Sequence, residues 1–393
     1  MKSIAVIFGG KSAEHDVSII TAHTPIIDTL EASGKFDVWP IYITKEGKWY
    51  CDKRMNNLAF FKNPDYEQEL SRWKPIDISI GSGFTVVQPG LISAKKIKID
   101  VVFPSMHGTY GEDGSLMGLL RMAGVPFVGC DIFASAVAMD KVLTKQVCAA
   151  EGMPVVPYVW FTKAQWETHK SDLWVEIKKL QWPLFVKPVH LGSSIGMAKV
   201  KTEKELENAI DVALHYDNKV LVEEGIDPLI EITLPIMGND EVRCALPERP
   251  LNQTEFFDFQ DKYLSGGKSA KGGGGKGGKG VNSQYSEVPA QIGEELSKKI
   301  VDLGIKVYKT LGCTGIARVD FLINSNTKEI FVNEVNTLPG SLYAHNWKKA
   351  GVSNMDLVLG LVDLAEERFA EQKNTTFAFQ SDILKKVGGS KTQ

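Results

Sequence analysis

The chain has 393 residues, room for two to four domains at roughly 100 to 200 residues each, which excludes a small disulfide-stapled scaffold. Apolar residues make up 43% and charged residues 24%, which fits globular protein and neither wholesale disorder nor a fibrous repeat. Lys plus Arg number 45 against 48 Asp plus Glu, a net charge of −3, so there is no chain-wide positive field to recruit nucleic acid.

Ile4-Ala-Val-Ile-Phe8 is a continuous apolar run ending at Gly9-Gly10, the pattern of a buried parallel strand turning into a helix. Charged Lys11, Glu14 and Asp16 follow at once, so the run is not read as a signal peptide. Val17, Ile19, Ile20, Ile26, Ile27 and Leu30 recur at helical spacing, Gly34 ends the pattern, and residues 38–43 supply the next strand. Residues 45–99 read as an excursion of hairpins and irregular chain. Val101-Val-Phe-Pro104 is a third strand, followed by the turn-rich His107-Gly-Thr-Tyr-Gly-Glu-Asp-Gly114, a helix to Ala123 and a short strand over 126–128. Residues 1–128 are therefore predicted to form a doubly wound α/β domain.

A single helix is predicted over 133–151, then strands over 183–188 and 220–224 with an amphipathic helix over 203–214 between them, so that 129–222 reads as a small α+β domain. A third domain, 223–371, opens with a strand over 231–237, carries a helix over 292–311 and strands over 316–323 and 329–334, and closes with a helix over 354–369. Between Ser265 and Gly280 nine of sixteen residues are Gly and four are Lys, so the stretch 264–286 is expected to be a mobile loop, with residues 372–393 a polar tail. The five cysteines, Cys51, Cys130, Cys148, Cys244 and Cys313, lie far apart without Cys-x-x-Cys pairing and read as reduced thiols of a cytoplasmic protein. No stretch approaches the roughly 18 apolar residues of a membrane span, so no membrane association is expected.

Two constellations carry chemistry. Lys187-Pro-Val-His-Leu-Gly192-Ser193-Ser194-Ile-Gly196 sets a lysine at a strand end before a Gly-rich turn whose amides and hydroxyls can wrap phosphate oxygens, although an ordinary hairpin with a surface lysine fits the stretch taken alone. Arg318-Val-Asp320 on one strand and Glu334-Val-Asn336 on the next place polar groups at alternate positions inside apolar strands, so each pair points to one face. Burying such groups is costly unless a metal or an anion completes the network, and hard oxygen ligands suit magnesium. A structural Arg318 to Asp320 salt bridge with Glu334 exposed is the plainer alternative.

The order and spacing of Lys141, Lys187-Pro, Gly192-Ser-Ser-Ile-Gly196, Glu223-Glu224, Arg318-x-Asp320-Phe and Asn333-Glu-Val-Asn-Thr-Leu-Pro-Gly340 resemble the ATP-grasp superfamily, specifically the D-alanine:D-alanine ligases. Gly9-Gly10-Lys-Ser-Ala-Glu14-His15-Asp16-Val-Ser18, the His107 to Gly114 motif and Phe257-Asp258-Phe-Gln-Asp-Lys262-Tyr263 extend the resemblance to about residue 365. It implies a three-domain ATP-grasp fold, mixed α/β and α+β, in which ATP phosphorylates one D-alanine and the amine of a second attacks the acyl phosphate. By the same resemblance Lys141, Lys187 and Lys262 meet phosphates, and Ser194 closes over them. Glu223 and Glu224 lie beside adenine, and Glu231 meets the ribose. Asp320, Glu334 and Asn336 hold two magnesium ions, with manganese an alternative, and Arg318 with the Gly340 amide stabilises the tetrahedral oxyanion.

Glu14 is implied to meet the first ammonium and to be linked through Ser193 to Tyr263, with His107 orienting that substrate. Ser341 and the Leu342 amide take the second carboxylate. The resemblance also implies a homodimer. The chain departs from it where Ser341-Leu-Tyr343 directly follows Gly340 and Ala344-His345 replaces a proline. Rival readings are a D-alanine:D-lactate or D-alanine:D-serine ligase of the same fold, which Tyr263 argues against for lactate, and an ATP-binding protein without ligation.

Overall fold

The strand Lys2–Gly9 lies parallel between Phe36–Ile43 and Val101–Pro104, and Trp49–Cys51 pairs antiparallel at the outer edge. Alternation along the central strand divides the packing: Ile4, Val6 and Phe8 enter one core and Ala5 and Ile7 the other. Both faces are covered, which is why this strand reads as an unbroken apolar run. A computed structural model describes residues 1–90, 92–251, 286–376, 378, 381 and 383.

The predicted helix after Gly10 is present as three contiguous pieces, the α-helices His15–Thr21 and Asp28–Ser33 with the π-helical turn Ala22–Ile27 between them. Pro25 sits inside that turn, and a residue without an N–H cannot close the regular ladder. The excursion at 45–99 contains a three-stranded antiparallel sheet of Asp77–Ser79, Phe84–Gln88 and Lys95–Ile99. The predicted strand at 126–128 is reduced to one parallel bridge between Val102 and Phe127.

The second sheet runs in the order Ala198–Val200, Leu184–Pro188, Lys219–Glu224, Tyr158–Thr162, antiparallel throughout and covered by the helix Glu203–Tyr216. The third runs Val242–Cys244, Leu229–Gly238, Gly315–Asn324, Ile330–Asn336, again antiparallel, with the helix Glu294–Thr310 against it. Instead of one helix over 133–151 there are two, Ile132–Met139 and Lys141–Ala150. Asp140 has extended backbone, and its carboxylate accepts from Val142 N and Leu143 N at 2.9 Å each, so it caps a new helix and ends the old one. Ala134, Ala138 and Cys148 pack in the core of the third sheet, so the 129–222 segment contributes to two cores. The final helix, Asn354–Lys373, returns to the first sheet through Leu357, Val358, Leu361 and Val362, tying the end of the described chain to its start. The expected loop 264–286 lies outside the described residues except for Ser286, which pairs with Pro250. Among the described residues no helix is long and apolar enough to cross a membrane.

Candidate active site

The third sheet supplies a polar square. In its register Arg318 faces Asn336 and Asp320 faces Glu334, so the four side chains that alternate in sequence lie on one face of two adjacent strands. Arg318 donates to Asp320 through Nε at 2.7 Å and Nη2 at 2.6 Å, and Asn336 Nδ2 donates to the same carboxylate at 3.0 Å. Burial disfavours the guanidinium's charge, but Asp320 beside it holds Arg318 well above its ordinary pKa. The Arg318 guanidinium also lies 4.9 Å from the Tyr343 ring centre. The Arg318 to Asp320 bridge anticipated as the plainer alternative is thus present, and Glu334 keeps 30% of its side chain exposed toward the cleft. Among the described residues no group of three or more His, Cys, Asp or Glu could hold a metal. Two carboxylates and an amide make a short hard-oxygen set, the kind magnesium occupies when waters and substrate phosphates complete its shell.

Lys141 faces this square from the start of the helix that Asp140 caps. Its Nζ lies 3.9 Å from Glu334 Oε2 and donates to the Leu191 carbonyl at 2.6 Å. Burial lowers its pKa, against the pull of Glu334. The cleft between them is bordered by Gly108, Glu112, Lys141, Gly192, Glu334 and Asn336. It therefore joins the first sheet's loop, the Gly-rich turn and the third sheet.

Lys187 leaves the second sheet beside this cleft and belongs to a buried triad. Its Nζ is 2.5 Å from Glu223 Oε1, and Lys145 Nζ is 2.8 Å from Glu223 Oε2. Lys145 and Glu223 are 1% exposed at the side chain and Lys187 is 11% exposed. Burial works against the carboxylate's charge, yet the two lysines bring Glu223 down to about 2. For Lys187 burial is likewise outweighed by Glu223, which raises its pKa. The Glu223 side chain, expected beside adenine, is engaged in this triad, whereas Glu224 Oε1 accepts from Gln181 N at 2.9 Å near the surface. Glu231 is exposed on the adjoining strand, opposite Leu322.

The Gly-rich turn is anchored by an ionic cluster. His190 places Nδ1 3.0 Å from Asp217 and Nε2 3.2 Å from Asp140, while Lys219 Nζ donates to Asp140 at 2.7 Å. Hydrogen bonds to Asp140 and Asp217 raise His190 to about 9, so the ring is a cation at neutral pH with both nitrogens donating. Beyond it Ser193 and Ser194 adopt φ of 52° and 59°, a disfavoured conformation for residues with side chains, and Ser194 is exposed.

Ser193 Oγ donates to Glu14 Oε1, so the Gly-rich turn meets the first βα turn across the cleft. Glu14 is only 8% exposed. Gly108 is needed beside it, because at φ +70° a Cβ there would lie 2.9 Å from Glu14 Oε2 and 2.6 Å from Ser12 Oγ. Glu112, from the motif that contains His107, accepts from Gly108 N at 2.7 Å and Leu338 N at 3.3 Å. Burial, reinforced by the nearby Glu14 charge, pushes Glu112 up to about 8. Burial lowers His107, whose Nε2 lies 2.9 Å from Thr21 Oγ1.

After Gly340 the backbone makes an unusual turn in which Ser341, Leu342 and Tyr343 have φ of 49°, 53° and 52°. Leu342 N donates to Pro339 O at 2.9 Å, so the amide expected to take the second carboxylate is engaged within the turn, and Ser341 N donates to Thr21 Oγ1 at 3.2 Å. Leu342 is fully buried and the Ser341 residue exposed. The His345 that departs from the expected proline has Nε2 2.8 Å from Glu248 Oε2, just after this turn. Lys262 and Tyr263 lie outside the described residues.

The structure thus brings Lys141, Glu334 and Asn336 onto one cleft, with Arg318 and Asp320 on the same sheet face, Lys187 bonded to Asn333, Glu14 bonded to Ser193, and His107 and Ser341 linked through Thr21. Sequence reasoning missed Lys145, Glu112 and Thr21. Glu112 carries a signal, since it sits in a motif already singled out. Thr21 and Lys145 carry none, because each is one polar residue on a helix whose partners lie far away in sequence.

Residues 3–130 match the model of the D-ala D-ala ligase N-terminus and residues 147–363 that of the D-ala D-ala ligase C-terminus. A Bacillus velezensis protein named D-alanine–D-alanine ligase is 37% identical, with 93% of this chain and 98% of that protein covered. The solved D-alanine–D-alanine ligase of Coxiella burnetii superposes with a TM-score of 0.76 at 31% identity, covering 95% of this chain and 96% of that one. The VanG D-Ala:D-Ser ligase of Enterococcus faecalis superposes with a TM-score of 0.75 at 33% identity, covering 93% and 99% respectively.

Proposed function

The chain belongs to the D-alanine–D-alanine ligase family, and on that premise we propose that it uses ATP to join two D-alanine molecules into the dipeptide of peptidoglycan synthesis. A carboxylate oxygen of the first D-alanine takes the γ-phosphoryl group and ADP leaves. The amine of the second then attacks the acyl carbon, and phosphate leaves as the nitrogen gives up its proton. The observation that carries this reading is the Arg318, Asp320, Glu334 and Asn336 square facing Lys141, with Glu14 and Ser193 joined across the same cleft.

In this reading Lys141 and Lys187 meet the phosphates, together with Lys262, and Ser194 closes over them with the amides of its Gly-rich turn. Glu231 meets the ribose, and the Glu223-Glu224 segment borders adenine through its main chain and Glu224. Asp320, Glu334 and Asn336 would hold magnesium, two ions in the fullest form, which when bound screens the phosphate charge that repels a carboxylate nucleophile. Arg318 and the Gly340 N–H stabilise the oxyanion of the tetrahedral intermediate. Glu14 binds the first ammonium, His107 orients that substrate as a neutral ring, and Ser341 with the Leu342 segment receives the second carboxylate. Tyr263 completes the Glu14 and Ser193 link. The reaction belongs to the cytoplasm, where ATP is available, and a homodimer is the assembly this reading implies.

Competition between nucleophiles tests it. With magnesium, ATP and D-alanine, the expected product is D-alanyl-D-alanine, and adding equimolar D-lactate or D-serine at neutral pH should leave the dipeptide predominant by mass. Predominant depsipeptide or D-alanyl-D-serine would replace this substrate assignment, and ADP release without any ligated product would overturn the ligase reading.

A further inference from the structure

Thr21, the last residue of the helix that follows the first strand, is 1% exposed and joins two parts of the site that come from opposite ends of the chain. Its Oγ1 lies 2.9 Å from His107 Nε2, 86 residues away, and accepts from Ser341 N at 3.2 Å, 320 residues away. A hydroxyl has one proton to give. The oxygen takes the Ser341 N–H on one lone pair, which leaves its own proton for His107 Nε2 whenever that nitrogen is the unprotonated one. His107 is also hydrogen-bonded to the Leu338 main chain, two residues before Gly340, in the sense that favours the ring's proton, as a ring N–H donated to a carbonyl does, and that bond puts the proton on Nδ1 and leaves Nε2 to accept from Thr21.

The turn that this hydroxyl contacts has an unfavourable backbone. Ser341, Leu342 and Tyr343 occupy the left-handed region in succession, where residues with side chains are disfavoured. The Leu342 N–H closes back on Pro339 O and its side chain is buried, while the Ser341 residue is exposed. The bond from Ser341 N to Thr21 thus ties the exposed serine's own backbone to the first helix.

We propose that Thr21 is a positioning residue for the second D-alanine: its hydroxyl holds His107 in a single tautomer and the Ser341 turn in register with it. This rests on the assignment of Ser341 to the second substrate's carboxylate. Thr21 touches neither substrate, so its removal should disturb the second amino-acid subsite while leaving the nucleotide end alone. The two D-alanine subsites would then be coupled through the His107, Thr21 and Ser341 chain of hydrogen bonds.

The test compares Thr21→Val, which keeps the shape and removes the hydroxyl, with Thr21→Ser, which keeps the hydroxyl. Initial rates against D-alanine resolve separate Michaelis constants for the two subsites. In Thr21→Val the constant for the second D-alanine should rise by about tenfold or more, with those for ATP and the first D-alanine changed by no more than about twofold, and Thr21→Ser should restore the second constant to within about threefold. Thr21→Ala, which adds no methyl beside His107, should reproduce the valine pattern if the valine variant is poorly folded. Nitrogen-15 NMR of histidine-labelled protein gives a readout independent of turnover: the His107 Nε2 resonance should move in Thr21→Val and return in Thr21→Ser. An unchanged second Michaelis constant in Thr21→Val, measured beside a wild type that makes dipeptide, or equal losses in the valine and serine variants, would overturn the proposal alone. Absence of dipeptide from the wild type would overturn the ligase reading and this proposal with it.

Discussion

Replacing Asp320 by Asn or Glu334 by Gln is expected to lower the rate of dipeptide formation by about 10³-fold or more while leaving the fold in place. Both side chains lie on the square opposite Lys141, and neither supports a hydrophobic core. In the proposed reading, losing either carboxylate weakens magnesium binding and leaves the triphosphate charge less screened just where a carboxylate nucleophile must approach it. The two variants should differ in one respect. Asp320 also anchors Arg318 through two hydrogen bonds, so Asp320→Asn should disturb the guanidinium proposed to stabilise the oxyanion, whereas Glu334→Gln leaves that pair intact. Steady-state rates over a magnesium titration, with far-ultraviolet circular dichroism as the control for folding, check this. Wild-type turnover in Glu334→Gln at low magnesium would remove that residue from the metal set.

The second large effect is on stability. Glu223→Ala should cost on the order of 3–5 kcal/mol, because it strands Lys145 and Lys187 without their shared carboxylate in a buried environment. Glu223→Gln should cost less, since an amide oxygen still accepts from one ammonium. The pH dependence has a definite sign. The folded-state pKa of Glu223 is depressed to about 2, below the ordinary glutamate value of about 4.3, so the triad stabilises fully above that ordinary value. Its contribution falls away as the pH drops toward about 2. Urea unfolding of wild type and Glu223→Ala without nucleotide, at pH 7 and pH 4, measures both points. A loss below about 1 kcal/mol at pH 7 would show that water or a rearranged side chain replaces the carboxylate.

Much of this arrangement is legible in the amino-acid order, and the parts that are not share a physical reason. Period-two alternation was enough to pair Arg318 with Asp320 and Glu334 with Asn336, since strand geometry alone sends such residues to one face. The apolar run at Ile4 to Phe8 likewise announced a strand covered on both sides. Helical periodicity is a weaker guide to punctuation. Apolar spacing runs on through Asp140, yet that residue's short carboxylate captures two amides and starts a new helix, which is what brings Lys141 to the cleft. Lys145 reads from sequence as an ordinary helix-surface lysine, and only the approach of the Lys219–Glu224 strand turns it into a buried ion-pair partner. Thr21 is the extreme case, because its meaning depends on two segments that meet only in the folded chain.

The most direct measurement follows oxygen through the reaction. D-alanine labelled with oxygen-18 in both carboxylate positions, incubated with the enzyme, magnesium and unlabelled ATP, should yield one labelled oxygen in inorganic phosphate for each dipeptide formed, because the oxygen that accepted the phosphoryl group leaves with it. The other stays in the new amide carbonyl, and the product's terminal carboxylate keeps both of its labels. Dipeptide whose formation leaves inorganic phosphate unlabelled, or label appearing in AMP, would contradict transfer of the γ-phosphoryl group to the first D-alanine.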